Sequence, residues 1–299
     1  MTFAEFVLIL TVALGQGYGA VAKEKVWPLD MAENSVDDQY DGCQEEMTHL
    51  VQDTYLEKEL KKTANLKTAW REAEKYCDNN PGNHLTRNHC IAIYIYTYDE
   101  FQQRLYELFN NATRTGRGNY INMTYQWYSF HFLLTDALQH LTKTQESPIL
   151  QVFRGTKLKF EENVENKKIR FGSFTSTSLS KEPAKKFGIK SCFEIMTCHG
   201  VEIKEYSSYP EQREVLIPPY ETFSVTAVLT RTTNPSLWCD TVYVLNSAGV
   251  HSNMNCQVVN LSSQMYIVCL ALLVTSACVT TFILLFFLIR KCKKTERAY

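Results

Sequence analysis

The hydrophobic pattern divides the 299-residue chain into a helical half and a strand-rich half. In the first half, apolar residues recur at the three- and four-residue spacing of an amphipathic helix, with lysine and glutamate between them. The pattern predicts one helical stripe from Leu56 to Cys77, a helix over about residues 97–110 and a helix over residues 127–141. The predicted inward positions are Leu56, Leu60, Leu66, Trp70, Ala73 and Cys77, then Phe101, Leu105 and Leu108, then Phe130, Leu134, Ala137 and Leu138.

From about Pro148 the pattern changes to short apolar or alternating runs separated by turn residues, which predicts strands. Helices followed by strands favour an α+β domain in which a helical lobe packs on a mainly antiparallel β core. We place the helical lobe at about residues 44–146 and the β-rich lobe at about residues 147–258. The predicted strands cover residues 150–153, 169–174, 193–197, 215–217, 223–229 and 242–245.

The start of the chain predicts a sorting segment rather than part of the core. Phe6 to Leu14 is an unbroken apolar run that is too short to span a bilayer, and small residues follow it. We therefore predict a signal peptide over residues 1–22, cleaved near Ala22. Glu5, and the absence of lysine and arginine before the apolar run, depart from the usual pattern.

The end of the chain predicts a membrane anchor. Met265 to Ile289 contains no charged residue and is long enough for one helix across a bilayer. Five basic residues follow within positions 290–299, and such clusters remain cytoplasmic. The chain is thus predicted to be a type I cell-membrane protein with residues 23–258 outside the cell. A GPI signal is the alternative, but it normally has an apolar end and a polar spacer longer than residues 260–264.

Charge and cysteine content support this division. The chain carries a net charge of −1, and the basic tail leaves the remainder mildly acidic, which argues against a nucleic-acid partner. Seven of the ten cysteines lie in the predicted extracellular part, where thiols oxidise, and an odd number leaves at least one unpaired. No cysteine or histidine pair has zinc-ligand spacing, so no metal is predicted. Predicted glycosylation sites are Asn111, Asn122 and Asn260.

Three short segments carry the candidate chemistry. Arg154 stands at a strand end beside Gly155, where a guanidinium suits bidentate binding of a pyrophosphate. Ser176 belongs to a hydroxyl-rich run, and Glu214 directly precedes an apolar strand. A fixed carboxylate stabilises the positive charge that develops on a ribose when its N-glycosidic bond breaks. These residue types predict a site that binds and cleaves a dinucleotide. The alternatives are an arginine at a sheet edge and an ordinary extracellular β strand.

At these residues the chain resembles the vertebrate ecto-mono-ADP-ribosyltransferases. That family shares an arginine on one strand, a Ser-Thr-Ser strand and a Glu-x-Glu before Val-Leu-Ile-Pro-Pro, and this chain has matching segments at 153–156, 174–178 and 211–219. Further matching segments lie at residues 38–43, 92–97, 131–138 and 252–256. The resemblance implies a two-sheet β core of the ADP-ribosyltransferase type, NAD or NADP as co-substrate, no permanently bound cofactor and a protein acceptor at the cell surface.

The resemblance also implies roles for individual residues. Arg154 would bind the NAD phosphates, Ser176 would contact the nicotinamide ribose and brace the acid, and Glu214 would be the catalytic carboxylate. Cys43 and Cys256 would form the disulfide that joins the ends of the domain. The family's second bridge has no counterpart before Arg154, where Ile149 and Leu150 stand instead of cysteine, and the pair Cys77 with Cys90 is a separate hypothesis. Further implied positions are Tyr96, Gly155 and Ser207 for dinucleotide binding, and Tyr209 and Gln212 in the loop that selects the acceptor.

Gln212 is a departure from the family pattern because arginine-modifying members carry a glutamate at that position. A neutral amide cannot accept a proton from an incoming guanidinium or pair with its charge. Cleavage of NAD by Glu214 could then persist while transfer to arginine weakens, unless the neighbouring Glu211 substitutes. NAD hydrolysis, a different acceptor residue and a catalytically silent surface protein are the alternatives that this position leaves open.

Overall fold

The computed structural model describes residues 24–98 and 105–296. The predicted signal peptide and Phe101 of the second predicted helix lie outside the described residues. The helices are α1 Gln44–Leu50, α2 Leu56–Lys62, α3 Ala64–Ala73, α4 Arg87–Thr97, α5 Leu105–Thr115, α6 Arg117–Ile121, α7 Tyr128–Thr144, α8 Lys181–Lys185 and α9 Gln257–Glu296. The strands are β1 Val26–Trp27, β2 Leu150–Thr156, β3 Lys159–Phe160, β4 Lys168–Arg170, β5 Thr175–Ser178, β6 Ser191–Thr197, β7 Val201–Glu202, β8 Glu214–Ile217, β9 Glu221–Thr230 and β10 Thr241–Val250.

The first predicted helical stripe is confirmed only in its second half. Leu66, Trp70 and Ala73 are buried on α3, whereas Leu56 and Leu60 of α2 are only half buried. The stripe is not one helix, because the backbone turns to an extended conformation at Thr63, between α2 and α3. A π-helical turn over Val51–Tyr55 connects α1 to α2.

The second predicted helix is wrong in its register. Helix α5 runs to Thr115 rather than to Asn110, and it buries Leu105, Phe109 and Thr113 at four-residue intervals. Leu108, which the pattern placed inward, is 48% exposed because it lies off this face. Helix α4 was not predicted, because it is buried on nearly all sides and therefore shows no helical alternation of apolar and polar residues.

The third predicted helix is confirmed as α7. All four predicted inward residues are buried, and the helix crosses the middle of the helical lobe. Its first turn is held by Glu59 of α2, whose Oε1 accepts a hydrogen bond of 2.9 Å from the Ser129 backbone N–H. Burial raises the pKa of Glu59 to about 8.

The strands form a mainly antiparallel core, as predicted, but the two sheets are unequal. The larger sheet has eight strands in the order β4-β9-β10-β6-β2-β5-β8-β7, and only β10 and β6 run parallel. The second sheet in the described part of the chain is the two-stranded parallel pair β1 and β3. The predicted strand runs correspond to β2, β4, β6, β8, β9 and β10.

The central sheet separates two hydrophobic cores. Along β8, Leu216 packs with the helical lobe, whereas Val215 and Ile217 pack into the core on the other face. This alternation follows from the two-residue repeat of a strand. Glu214 lies two positions before Leu216, so the alternation directs its side chain toward the helical lobe. Strand β8 therefore presents its carboxylate at the boundary between the helical lobe and the sheet, which we call the cleft.

A buried ion pair ties the two ends of the domain to the sheet. Arg170 of β4 is 2% exposed and contacts Asp37, which is fully buried. The Arg170 guanidinium also donates hydrogen bonds to the Met31, Ala32 and His251 carbonyl oxygens. Asp37 in turn accepts a hydrogen bond from the Asn253 backbone N–H. One charge pair thus joins the segment before α1, the edge of the sheet and the segment before α9.

Three disulfides are present among the described residues. Cys43 is bonded to Cys256, as the resemblance implied, and Cys77 is bonded to Cys90, as separately hypothesised. The third bridge, Cys192 to Cys239, was not predicted. Within the described part of residues 23–258, Cys198 is the unpaired cysteine, in agreement with the odd count.

Helix α9 begins directly after the Cys43–Cys256 bridge. Over Gln257–Leu285 it is long and apolar enough to cross a membrane, by its length and composition alone. It is therefore a candidate anchor that follows the folded domain without an intervening loop.

We expect Asp37→Ala to lower the free energy of unfolding by about 3 to 5 kcal/mol, because it leaves the Arg170 charge buried without its partner. Chemical denaturation of the purified protein measures this change. The matched control is Glu57→Ala, which removes an exposed ion pair with Lys61 and should cause no measurable change. Equal unfolding midpoints for Asp37→Ala and the unmodified protein would contradict the role assigned to the buried pair.

Candidate active site

Arg154 connects two neighbouring strands at the cleft. It lies on β2, and its Nη1 donates a hydrogen bond of 2.6 Å to the Ser176 carbonyl oxygen on β5. Burial lowers the pKa of the guanidinium from its ordinary value, while Tyr96 and Glu214 act in the opposite direction. Arginine stays protonated throughout the physiological range, so the site contains a fixed positive charge.

Glu214 lies at the start of β8 and is 8% exposed. Ser176 is paired with Leu216 across β5 and β8, so Ser176 and Glu214 share the face that looks toward the helical lobe. Burial raises the pKa of Glu214 to about 7, although the hydrogen bond with Ser176 and the charge of Arg154 both oppose the rise. The result is a poorly solvated carboxyl group between one hydroxyl and one guanidinium.

Tyr96 of α4 reaches this group from the helical lobe. Its side chain is 2% exposed, and its hydroxyl donates a hydrogen bond of 3.0 Å to the Phe174 carbonyl oxygen. Asn110 of α5 donates its Nδ2 hydrogen to the Tyr96 hydroxyl at 3.0 Å. The Ser176 hydroxyl lies 3.5 Å from the same oxygen. Burial is the main reason why the pKa of Tyr96 rises to about 12.

Gly155 is required where α8 packs on β2. A Cβ atom at this position would collide with the Ala184 and Gly188 carbonyl oxygens at the end of α8. Only a glycine lets the helix end approach the strand so closely. The predicted contact of Gly155 with a dinucleotide would have to use its backbone.

The loop between β7 and β8 contains the predicted acceptor positions and is attached at both sides of the cleft. The Ser208 backbone N–H and hydroxyl bond to Thr97 Oγ1 of α4 at 3.0 and 3.1 Å. The Ser178 hydroxyl of β5 donates to the Gln212 carbonyl oxygen at 2.9 Å. Within the loop, Ser207 Oγ accepts a hydrogen bond from the Tyr209 backbone N–H at 3.1 Å. These contacts hold the loop between α4 and β5.

The end of this loop fixes the directions of three consecutive side chains. Pro210–Gln212 form a 3₁₀ turn, and Arg213 then adopts the left-handed conformation with φ 46° and ψ 52°. Successive side chains of a 3₁₀ turn point about 120° apart. Glu211 is exposed, whereas Gln212 is half buried beside the cleft. In this conformation Glu211 does not take the place of a carboxylate at position 212.

The structure brings four predicted residues together and leaves others apart. Arg154, Ser176, Glu214 and Tyr96 form one contact group, while Ser207, Tyr209 and Gln212 lie on the adjoining loop. No local sequence pattern identifies Asn110, because its contact with Tyr96 depends on how α4 and α5 pack. No group of three or more histidine, cysteine or acidic residues among those described could hold a metal ion. The predicted glycosylation sites Asn111, Asn122 and Asn260 are exposed.

Comparisons with known proteins agree on one family. A family model described as NAD:arginine ADP-ribosyltransferase matches residues 29–237. The erythroblast NAD(P)(+)-arginine ADP-ribosyltransferase of Gallus gallus is 35% identical over 240 residues, which cover 77% of this chain and 76% of the relative. The GPI-linked NAD(P)(+)-arginine ADP-ribosyltransferase 1 of Mus musculus is 34% identical over 247 residues, which cover 77% and 73%.

Solved structures show the same relationship. The crystal structure of the eukaryotic mono-ADP-ribosyltransferase ART2.2 has 34% sequence identity and a TM-score of 0.64 to this chain. The match covers 77% of this chain and 98% of that one. Two variants of that enzyme, solved in complex with NADH and with NAD, give TM-scores of 0.62.

We expect Glu214→Gln to stabilise the protein at alkaline pH. Folding raises the pKa of Glu214 from 4.5 to about 7, so the folded state holds the proton more tightly than the unfolded state. Ionisation therefore costs stability as the pH rises from about 4.5 through 7, and removing the charge should recover about 3 kcal/mol at pH 8. Urea unfolding at pH 8 and pH 4 measures the difference, which should be much smaller at pH 4.

Glu221→Gln is the matched control for this prediction. Glu221 is also fully buried, but its carboxylate accepts hydrogen bonds from the Thr197 and Ser247 hydroxyls and from two backbone N–H groups. Its substitution should therefore destabilise the protein at pH 8. A loss of stability for Glu214→Gln at pH 8 would show that the Glu214 carboxylate supports the fold rather than straining it.

Proposed function

The chain belongs to the NAD:arginine ADP-ribosyltransferase family, and on that basis we propose that it cleaves the nicotinamide glycosidic bond of NAD or NADP and transfers ADP-ribose to a protein side chain. The observation that carries this proposal is the buried group formed by Arg154, Ser176 and Glu214. It combines a fixed cation, a hydroxyl and a weakly solvated carboxylate in one cleft. The predicted dinucleotide contacts of Gly155 and Ser207 belong to the same proposal, whereas the predicted contact of Tyr96 does not, because its hydroxyl is bonded within the protein.

The chemistry follows from the charges in the cleft. Arg154 binds the negatively charged pyrophosphate, which fixes the donor beside Glu214. As the bond between the ribose carbon and the nicotinamide nitrogen breaks, its electron pair leaves with nicotinamide and positive charge grows on the ribose. The Glu214 carboxylate stabilises that charge strongly because little water competes with it. The cationic nicotinamide ring of bound NAD lowers the pKa of Glu214 and keeps it ionised.

The acceptor is less strongly defined than the donor. An arginine guanidinium must lose a proton as it attacks the ribose, and the Gln212 amide cannot accept that proton. Glu211 is directed elsewhere by the 3₁₀ turn. Hydrolysis, with water as the acceptor, is therefore the second candidate function, and Gln212 is the observation that favours it. The loop residues Tyr209 and Gln212 are proposed to select between these outcomes.

We further propose that the protein acts at the cell surface. Residues 1–22 would be the cleaved signal peptide, residues 23–258 the extracellular enzyme, 265–289 the membrane helix and 290–299 the cytoplasmic tail. Three disulfides support an oxidising compartment. Relatives named ecto-enzymes or GPI-linked support the outer cell surface. The five basic residues that follow the long apolar helix are the feature that favours a single-pass type I anchor over a GPI anchor.

The test of the donor reaction uses NAD labelled in the ADP-ribose part, together with an arginine-rich acceptor protein. We expect nicotinamide release to fall at least about 100-fold in Glu214→Gln, because the charge on the ribose loses its stabilising partner. If the label is recovered only as free ADP-ribose, the protein is a glycohydrolase and not a transferase. If the folded protein binds NAD but releases no nicotinamide, it is a catalytically silent surface protein.

The acceptor role of Gln212 predicts that Gln212→Glu increases transfer to arginine relative to hydrolysis by about tenfold or more, because a carboxylate can accept the guanidinium proton. The ratio of protein-bound to free labelled ADP-ribose measures this effect. Glu211→Gln is the matched control and should leave the ratio unchanged. If Glu211→Gln changes this ratio as much as Gln212→Glu does, Gln212 is not the residue that selects the acceptor.

A further inference from the structure

The hydroxyl of Tyr96 is fully committed within the protein. It has one proton, and the Phe174 carbonyl oxygen can only accept, so the hydrogen bond of 3.0 Å between them uses that proton. With the proton assigned, the Tyr96 oxygen can act only as an acceptor toward Asn110 and Ser176. The family resemblance would make Tyr96 a dinucleotide contact, but this hydroxyl has no proton left to donate to a ligand.

Asn110 must therefore be the donor in its contact with Tyr96. Its Nδ2 lies 3.0 Å from the Tyr96 oxygen, and the reverse amide orientation would place two acceptors against each other. The Oδ1 atom of Asn110 is buried and has no hydrogen-bond partner in the described structure. The amide group is thus held in place through its contact with Tyr96.

Ser176 has one proton and two possible acceptors. The Tyr96 oxygen lies 3.5 Å from Ser176 Oγ, which is long for a hydrogen bond between hydroxyls. The Glu214 carboxylate is the other acceptor, because Ser176 and Glu214 lie on the same face of the paired strands β5 and β8, and a charged acceptor forms the stronger bond. Because Asn110 already donates to the Tyr96 oxygen, that oxygen is a poorer acceptor for Ser176.

We propose that Asn110 and Tyr96 are a positioning pair that leaves the Ser176 proton to the Glu214 carboxylate, and that the Tyr96 hydroxyl does not bind the dinucleotide. This inference rests on the proposed catalytic role of Glu214. Asn110 donates a hydrogen bond to the Tyr96 hydroxyl oxygen. The Tyr96 hydroxyl in turn donates to the carbonyl oxygen of Phe174, two residues before Ser176. The pair acts through Ser176 and touches neither the donor nor the acceptor of the reaction.

The ring of Tyr96 is supported independently of its hydroxyl. It packs edge to face against Phe109 and lies close to Phe174, with ring centroids 6.4 and 6.2 Å apart. Tyr96→Phe should therefore retain the fold of the cleft while removing the hydroxyl alone. This makes the hydroxyl separable from the packing in an experiment.

The test compares the pKa of Glu214 in the full-length unmodified protein, in Asn110→Leu and in Asn110→Leu combined with Tyr96→Phe, using carbon NMR of labelled glutamate carboxyl groups with Glu214→Gln for assignment. In Asn110→Leu the freed Tyr96 oxygen competes for the Ser176 proton, so the pKa of Glu214 should rise by about half a unit or more. Adding Tyr96→Phe removes the competing acceptor and should reverse the rise. Asn110→Ala removes the same donor without adding volume and serves if the leucine variant does not fold.

Activity and binding give the second readout. The pH profile of kcat/KM for nicotinamide release should move to higher pH in Asn110→Leu, with a loss of about threefold near pH 7 and none near pH 9. The affinity of Tyr96→Phe for NAD should stay within about twofold of the unmodified protein, since no ligand contact is lost. Thr115→Val, an exposed substitution on the same helix α5, is the control and should change neither quantity.

Each outcome decides a separate point. An unchanged pKa of Glu214 in Asn110→Leu would overturn the positioning role of Asn110. A loss of NAD affinity of tenfold or more in Tyr96→Phe would make its hydroxyl a substrate contact and overturn the second half of the proposal. The NMR titration needs no turnover, so an unmodified protein that releases no nicotinamide would refute the proposed function while the pair is still tested.

Discussion

The buried ion pair between Arg170 and Asp37 is the constraint on which the rest of the domain depends. It joins chain segments that are more than 130 residues apart, and neither charge can be left alone in a dry interior without a large cost. From Arg170 the chain continues through Gly172, where a side chain would collide with Ala32, to Phe174 and the catalytic strand. The position of Ser176 is therefore set by a contact outside the cleft. The contact that closes the domain therefore also determines the geometry of the site.

Periodicity predicted the parts of the fold that have one buried face and one solvated face. Helix α3 fits that description, because Leu66, Trp70 and Ala73 are buried while Lys67 and Arg71 are exposed. Helix α7 was predicted although residues 128–135 are all buried, because its later turns carry partly exposed polar residues. Helix α4 was not predicted, because a helix buried on nearly all sides has no polar face to mark its period. The Cys192–Cys239 bridge was missed for another reason: it depends on the pairing of β6 with β10, which brings Cys192 opposite Val242, and no local pattern encodes that pairing.

The site was predictable to the extent that chemistry can be recognised from residue type. Arg154, Ser176 and Glu214 stand in segments whose residue types match their chemistry, and the structure places them in contact. The residue type of Asn110 does not indicate a role, because asparagine is common on surface helices and its contact with Tyr96 forms only when α5 packs on α4. The direction of Gln212 was equally hidden, because it depends on the left-handed backbone of Arg213. The proposed donor chemistry could therefore be predicted from residue types, whereas the proposed choice of acceptor depends on the conformation of the loop.

The start of α9 at Gln257 has a consequence for the range of proteins that the enzyme can modify. If the apolar stretch from Met265 is embedded in the bilayer as proposed, the eight helical residues before it set an upper limit of about 12 Å on the gap between domain and membrane surface, and Val258 is itself packed in the core of the helical lobe. The domain itself has a diameter of about 45 Å for its size. An enzyme on such a short, stiff arm searches in two dimensions by lateral diffusion. Its accessible targets are then side chains within roughly 60 Å of its own cell's bilayer. Proteins on tall stalks or on an opposing cell fall outside that layer.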